Sequence, residues 1–143
     1  MTVSPIPDGY HAVTPYLIAD DADELLDFMQ KAFGAEEVFR MDMPDGSVGH
    51  AEVRIGDSVV MVGGAGGEWP AVPAAIHLYV ADVDATYQAA LAAGAKSTEE
   101  PADQFYGDRR ANVIDGAGNQ WFIATHVEDV SPEELERRAA ARR

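Results

Sequence analysis

The chain has 143 residues, of which 47% are hydrophobic and 24% are charged. This balance is typical of one compact globular domain and excludes a disordered chain. The formal net charge of −15 repels phosphate backbones, so the composition argues against nucleic-acid binding. The sequence has no cysteine, no signal-peptide pattern and no apolar run near the ~20 residues of a membrane span, so we expect a cytoplasmic protein without membrane contacts.

The first half of the chain has the pattern of one strand, one helix and three further strands. An alternating apolar stretch around Leu17 leads into Asp20–Asp23, acidic residues that can cap a helix. The helix is predicted from Leu25 to Phe33 and ends at Gly34, because glycine can adopt the left-handed cap conformation. The three strands are predicted at Glu37–Asp42, Val48–Ile55 and Ser58–Val62.

The second half repeats this order. Leu78–Asp84 aligns with Leu17–Asp23, and a second helix is predicted through Tyr87 and Ala93 before Gly94. Three strands then follow, with a loop at Pro101–Gly107 after the first of them. They are predicted at Lys96–Glu100, Arg109–Ile114 and Gln120–Thr125.

Two copies of this pattern predict one domain, 1–143, made of tandem βαβββ modules. The modules occupy about 10–63 and 74–126, with Gly63–Gly67 as a flexible join. Ser131 followed by Pro132 is typical of a helix start, so a last helix is predicted at about 131–143. Each module alone would leave apolar surface uncovered. We therefore expect an α+β fold, with a curved, mixed eight-stranded sheet around a cleft.

Alternation along the strands separates an apolar face from a polar and aromatic face. Val53 and Ile55 share one face of their strand, and His50 and Glu52 share the other. A polar and aromatic face suits a small-molecule pocket, although a solvated sheet face explains the pattern equally well. The same alternation places Tyr16, His77, Tyr79, Arg110 and Asn112 on this second face.

Several short motifs together resemble the vicinal oxygen chelate superfamily of glyoxalases, bleomycin-resistance proteins and dioxygenases, and in particular its PhnB-like branch. The motifs are Thr14–Ala22, Phe33–Ala35, Gly49–Asp57, Asp115–Trp121 and Ala124–Val130. The resemblance covers about Tyr10 to Arg138. It implies paired modules around a cleft, frequent dimerisation and small-molecule ligands, with a metal ion in some members and none in others.

The metal-dependent members of that superfamily carry His, Gln or Glu ligands at four positions. Carried over to this sequence, those positions hold Thr14, roughly Val60, Ala75 and Phe122. A divalent ion needs about three converging N or O donors, so we expect no metal cofactor. His50 and Glu52 leave open a displaced metal site, with His77 as a distant third ligand, or acid–base catalysis by His50 oriented by Glu52.

These considerations favour a metal-free, homodimeric binding protein of the bleomycin-resistance type that sequesters an antibiotic or an aromatic metabolite. The alternatives are a lyase, isomerase or dioxygenase built around His50 and Glu52, or an interaction protein with a vestigial cleft. The sequence leaves open whether one chain or two form the cleft. The predicted ligand-binding residues are Tyr16, His50, Glu52, Trp69, His77, Tyr79, Arg110, Asn112 and Phe122.

Overall fold

The computed structural model describes residues 2–142, and over this range it shows eight strands and three helices. The order of the elements confirms two tandem βαβββ modules followed by a C-terminal helix. Arg143, the end of that predicted helix, lies outside the described residues. The elements are β1 Tyr16–Ala19, α1 Ala22–Phe33, β2 Glu36–Asp42, β3 Val48–Ile55, β4 Ser58–Gly64, β5 Ala75–Tyr79, α2 Val83–Ala92, β6 Lys96–Asp103, β7 Asp108–Ile114, β8 Gln120–His126 and α3 Pro132–Ala141.

The strands form two separate four-stranded sheets, one in each module. Sheet I has the order β1-β4-β3-β2, and sheet II has the equivalent order β5-β8-β7-β6. In both sheets the first pair is parallel and the other two pairs are antiparallel. The predicted mixed α+β architecture is therefore confirmed, with its eight strands in two four-stranded sheets where the sequence predicted one continuous sheet.

The helices begin and end where the sequence predicts. The side chains of Asp21, Asp82 and Ser131 each accept a hydrogen bond from a backbone N–H in the first turn of the helix that follows. Gly34 ends α1 in the left-handed conformation, with φ of 67°. No helix within residues 2–142 is long and apolar enough to cross a membrane.

One hydrophobic core joins the two modules. Helix α1 packs on sheet I, α2 packs on sheet II, and the two helices contact each other. Phe33 at the end of α1 lies against Trp121 of β8, with 4.6 Å between the ring centroids. Trp121 is fully buried, as predicted, and its indole N–H donates to the carboxylate of Asp115 at 2.8 Å. The aromatic pair thus links module one to module two.

Each sheet turns one face towards this core and the other face away from it. Ala51, Val53 and Ile55 lie on the buried face of β3, as alternation predicts. His50 and Glu52 lie on the opposite face. We call the surfaces turned away from α1 and α2 open face I, on sheet I, and open face II, on sheet II.

Two segments differ from the prediction. Strand β6 continues to Asp103, although Pro101 was expected to begin a loop, because β6 is an edge strand and tolerates a residue without an N–H. Gly63 and Gly64 belong to β4 instead of a flexible join, since they pair with Ile18 and Ala19 of β1. The parallel pairing with β1 could not be inferred from the glycine-rich composition.

Gly64 lies where a side chain would meet the neighbouring strand. A Cβ atom there would be 2.7 Å from the carbonyl oxygen of Val48. Because backbone cannot move aside without disturbing β3, we expect Gly64→Ala to lower the free energy of unfolding by roughly 1–3 kcal/mol in urea denaturation. Gly63→Ala is the matched control, since its Cβ would meet only the Tyr16 side chain, which can move. Equal losses in the two variants would contradict this explanation.

Candidate functional site

A cleft of about 510 Å³ lies on open face I. Its side chains are those of Tyr16 and Ile18 in β1 and of Trp69 in the inter-module segment, which joins β4 to β5. The remaining lining is backbone, because these positions carry no side chain beyond hydrogen. They are Gly49, Gly63 and Gly64.

The inter-module segment holds Trp69 at this cleft. The backbone of Trp69 exchanges two hydrogen bonds with Gly66, at 2.8 and 2.9 Å. Three residues later, the N–H of Val72 donates to the carbonyl of Ile18 in β1. The Trp69 side chain is 66% exposed and so takes no part in the core. Trp69 therefore lines the cleft, and its role in ligand contact stays a prediction.

A chain of hydrogen bonds runs from this cleft across open face I. The Tyr16 hydroxyl lies 3.0 Å from Nδ1 of His50, and Nε2 of His50 lies 2.8 Å from Oε2 of Glu52. The Tyr10 hydroxyl donates to the other oxygen of Glu52. The hydrogen bond from Tyr10, and then that from His50, hold the pKa of Glu52 below its ordinary value.

The ionised carboxylate fixes the direction of two bonds in the chain. Glu52 can only accept, so the Tyr10 hydroxyl and Nε2 of His50 donate to it. In the tautomer with the ring proton on Nε2 alone, Nδ1 is an acceptor and the hydroxyl of Tyr16 donates to it. The sequence predicted that Glu52 orients His50, and the geometry agrees with that prediction.

Tyr10 is a site residue that the sequence analysis missed. It lies in the segment before β1, which covers part of open face I near Glu52 and Met61. Its partner Glu52 is 42 residues away in the chain, and the surrounding residues form no periodic element. No local pattern could therefore have identified it.

Open face II carries an aromatic cluster beside a cation. The His77 ring lies 4.8 Å from that of Tyr79 and stacks on Phe122, at 6.5 Å between centroids. The guanidinium of Arg110 lies over Phe122, 5.7 Å from the ring centroid. Arg110 also pairs with Glu99 at 3.4 Å. These contacts keep four of the predicted ligand-binding residues together.

Two polar atoms on β7 are buried without a hydrogen-bond partner. They are Nε of Arg110 and Oδ1 of Asn112, two residues apart on the same face of the strand. Asn112 is only 7% exposed, and buried polar groups usually have a partner. Both atoms are therefore unsatisfied within the described residues, although the two side chains belong to open face II.

The nine predicted ligand-binding residues divide into two sets. Tyr16, His50, Glu52 and Trp69 lie on open face I or at its edge, and the other five lie on open face II. None of the clefts described for residues 2–142 contains members of both sets. The reason is that both open faces are turned away from the core that the two modules share.

His126 forms a separate ionic cluster at the end of β8. Its Nδ1 lies 2.8 Å from Asp108, and its Nε2 lies 2.7 Å from Asp129. The buried carboxylate of Asp108 also accepts the hydroxyl of Tyr79 at 2.8 Å. Both ring nitrogens can donate only when the ring is protonated, so Asp129, and then Asp108, raise the pKa of His126.

The donor set does not fit a divalent metal ion within one chain. Over residues 2–142, no three His, Asp or Glu side chains are close enough to share an ion. Of the four positions carried over from the metal-dependent members, Val60 is 4% exposed and points into the core. Ala75 and Phe122 lie on sheet II, apart from Thr14 before β1. The geometry therefore supports no reaction step through a metal.

Residues 10–123 match the family described as the Glyoxalase/Bleomycin resistance protein/Dioxygenase superfamily. The chain belongs to this superfamily. It is 38% identical to an uncharacterized protein of Mycobacterium tuberculosis, over 87% of this chain and 80% of that relative. Its membership of the PhnB-like branch stays a prediction.

Solved structures of other proteins share the fold. TioX from Micromonospora sp. ML1 is 25% identical, with a TM-score of 0.72 over 82% of this chain and 99% of that one. The fosfomycin resistance protein FosX from Listeria monocytogenes, in a complex with Mn(II) and 1S,2S-dihydroxypropylphosphonic acid, is 18% identical. Its TM-score is 0.63, over 90% of this chain and 97% of that one. The likeness to FosX shows the fold alone.

The raised pKa of His126 predicts a pH-dependent contribution to stability. Protonated His126 stabilises the fold fully below the ordinary histidine pKa, and this contribution is lost as the pH rises through the raised folded-state pKa. We expect His126→Gln to lower Tm most near about pH 6 and progressively less towards about pH 9. Thermal unfolding of both proteins across this range measures the difference. His11→Gln is the control at an exposed histidine, and a His126→Gln deficit that grows with pH would contradict the assignment.

Proposed function

We propose that the protein binds a flat, partly aromatic small molecule on open face I, without a metal ion, and sequesters it in the cytoplasm. The observation that carries this proposal is the cleft where Trp69 and Tyr16 stand beside bare glycine backbone. Aromatic side chains supply stacking area, and exposed backbone lets a planar ring system approach closely. An antibiotic or an aromatic metabolite has the required shape.

Charge around the cleft favours a ligand with a cationic group. A neighbouring hollow shares Gly49 and Gly64 with the cleft and is lined by four aspartates, Asp20, Asp21, Asp23 and Asp45. The net charge of −15 adds a negative field over the whole surface. Such a field raises the local concentration of cations and speeds their association.

We further propose that the functional unit is a homodimer in which open face II of one copy covers open face I of the other. Both faces expose large apolar side chains, among them Met41 at 58% and Tyr79 at 60%. Exposed apolar side chains that lie together on one sheet face commonly mark an interaction site. The dimer would bring open face II, with its partly exposed Arg110 guanidinium, towards the cleft and unite the two sets of predicted residues.

A second candidate function is an isomerase or lyase. It is favoured by the hydrogen-bonded chain that joins Tyr16, His50 and Glu52 at the edge of the same cleft. A neutral imidazole held by a carboxylate can accept a proton from a neighbouring group. This candidate needs the same ligand-binding cleft and differs only in what happens to the ligand.

Binding is tested on chelator-treated protein with a panel of aromatic antibiotics and aromatic metabolites, both cationic and neutral. We expect at least one compound to raise Tm without added metal and to quench the exposed Trp69, while Trp121 stays buried. Trp69→Ala should weaken the binding of that compound by about tenfold or more, because it removes an aromatic wall.

Phe105→Leu is the control, since Phe105 contacts Arg142 and lies outside the cleft. Two outcomes would contradict the proposal: binding that Trp69→Ala leaves unchanged, and binding that appears only after Mn(II) is added. The second outcome would support the metal-dependent alternative.

A further inference from the structure

Three tyrosines at the open faces donate hydrogen bonds to chemically different acceptors. Tyr10 and Tyr79 donate to carboxylates, those of Glu52 and Asp108. These hydrogen bonds raise the pKa of both phenols, because a phenolate would face a negative charge. Tyr16 alone of the three donates to an imidazole nitrogen, that of His50. An imidazole nitrogen can take the phenolic proton, as a carboxylate with its much lower basicity does not.

Gly63 allows the Tyr16 ring to reach this nitrogen. A Cβ atom at Gly63 would lie 2.9 Å from both Cε1 and the hydroxyl oxygen of Tyr16, so the ring rests directly on the backbone of β4. Gly63 is also the partner of His50 across the β3–β4 pair. Because Gly63 has no side chain, the Tyr16 phenol can lie beside the His50 imidazole and also line the cleft.

The hydroxyl of Tyr16 has access to a bound molecule. Tyr16 is 49% exposed and lines the cleft together with Trp69. A planar ligand stacked on Trp69 would have its edge next to this phenol. At the other end of this chain of hydrogen bonds, Glu52 is already engaged, because both of its oxygens accept hydrogen bonds from His50 and Tyr10.

We propose that Tyr16 is the proton-transfer group of this cleft. Its phenolic proton passes to Nδ1 of His50, and the phenolate oxygen takes a proton from the ligand. Glu52 is a positioning residue that holds the imidazole in the required tautomer. The inference rests on the proposed binding cleft and develops the second candidate function, the isomerase, by assigning a reaction to that cleft.

The substrate class is a planar compound with a C–H bond next to a carbonyl group. That C–H bond breaks, its electron pair stays on the ligand as an enolate, and the proton moves to the oxygen of Tyr16. Return of a proton to a different carbon or face completes an isomerisation. The step needs no oxidant, reductant or second substrate.

The reactivity of Tyr16 is tested with benzenesulfonyl fluoride, a probe that needs no knowledge of the ligand. The phenolic oxygen attacks sulfur, an O–S bond forms, the S–F bond breaks and fluoride leaves, while the phenolic proton goes to His50. Peptide mapping by mass spectrometry gives the labelling rate at each of the five tyrosines. We expect Tyr16 to react at least ~10-fold faster than Tyr79, whose proton is held by Asp108.

Variants separate proton transfer from simple exposure. His50→Gln should lower the Tyr16 rate by about tenfold or more, because an amide is not a base, and Glu52→Gln should lower it less. Gly63→Ala should also lower it, by moving the ring away from Nδ1. His126→Gln is the matched control and should leave the Tyr16 rate unchanged.

The pH profile of labelling is a readout that a purely structural role of His50 would not move. The groups facing His50 are Tyr16 from β1, Glu52 from β3 and, through Glu52, Tyr10; Arg54 of β3 lies near Tyr10. The Tyr16 rate should depend more strongly on pH in the natural protein than in His50→Gln, because only the imidazole can accept the phenolic proton.

The proposal is overturned if Tyr16 reacts no faster than Tyr79, or if His50→Gln leaves both the Tyr16 rate and the pH dependence of that rate unchanged. Neither outcome touches ligand binding, which is measured separately with Trp69→Ala. Failure of this proposal and failure of the binding proposal are therefore distinguishable.

Discussion

The architecture depends on the packing of both helices into one core shared by the two modules. Phe33 of α1 meets Trp121 of β8, and Asp115 fixes the indole through its N–H. Each module alone is a sheet with one helix and would leave part of its apolar face in water, so joining them buries surface that neither can cover. This packing has a geometric consequence. The sheet faces that pack in the core cannot also form a cleft, and the polar and aromatic faces, open face I and open face II, are turned away from the core.

This constraint explains why the candidate site residues are divided between open face I and open face II. Open face I has the imidazole of His50, the carboxylate of Glu52 and the glycine-lined cleft, whereas open face II has the guanidinium of Arg110 and the buried amide of Asn112. A small-molecule site usually combines apolar area with a few convergent polar groups. Each face alone provides part of that combination. A second copy of the chain is the simplest way to bring the two parts together, since it needs no further component and satisfies both copies at once.

Much of the fold could be predicted from local patterns, and the site only in part. Strand alternation correctly separated Val53 from His50 on the two faces of β3. Alternation gives the face of a residue within its own sheet, but not how two sheets pack against each other. The bond between Tyr10 and Glu52 spans 42 residues, and no short-range pattern reports such a contact. The predicted metal-free site, homodimer and cytoplasmic location stay predictions.

The most direct test of the dimeric cleft uses two single-cysteine variants, since the natural chain has no cysteine. Met41→Cys marks open face I, because Met41 pairs with His50 across β2 and β3, and His77→Cys marks open face II. The variants are mixed, allowed to exchange subunits and treated with a short bismaleimide. We predict a covalent dimer in the mixture and little in either variant alone. A monomer in sedimentation equilibrium, or efficient cross-linking of Met41→Cys with itself, would contradict the pairing of open face I with open face II.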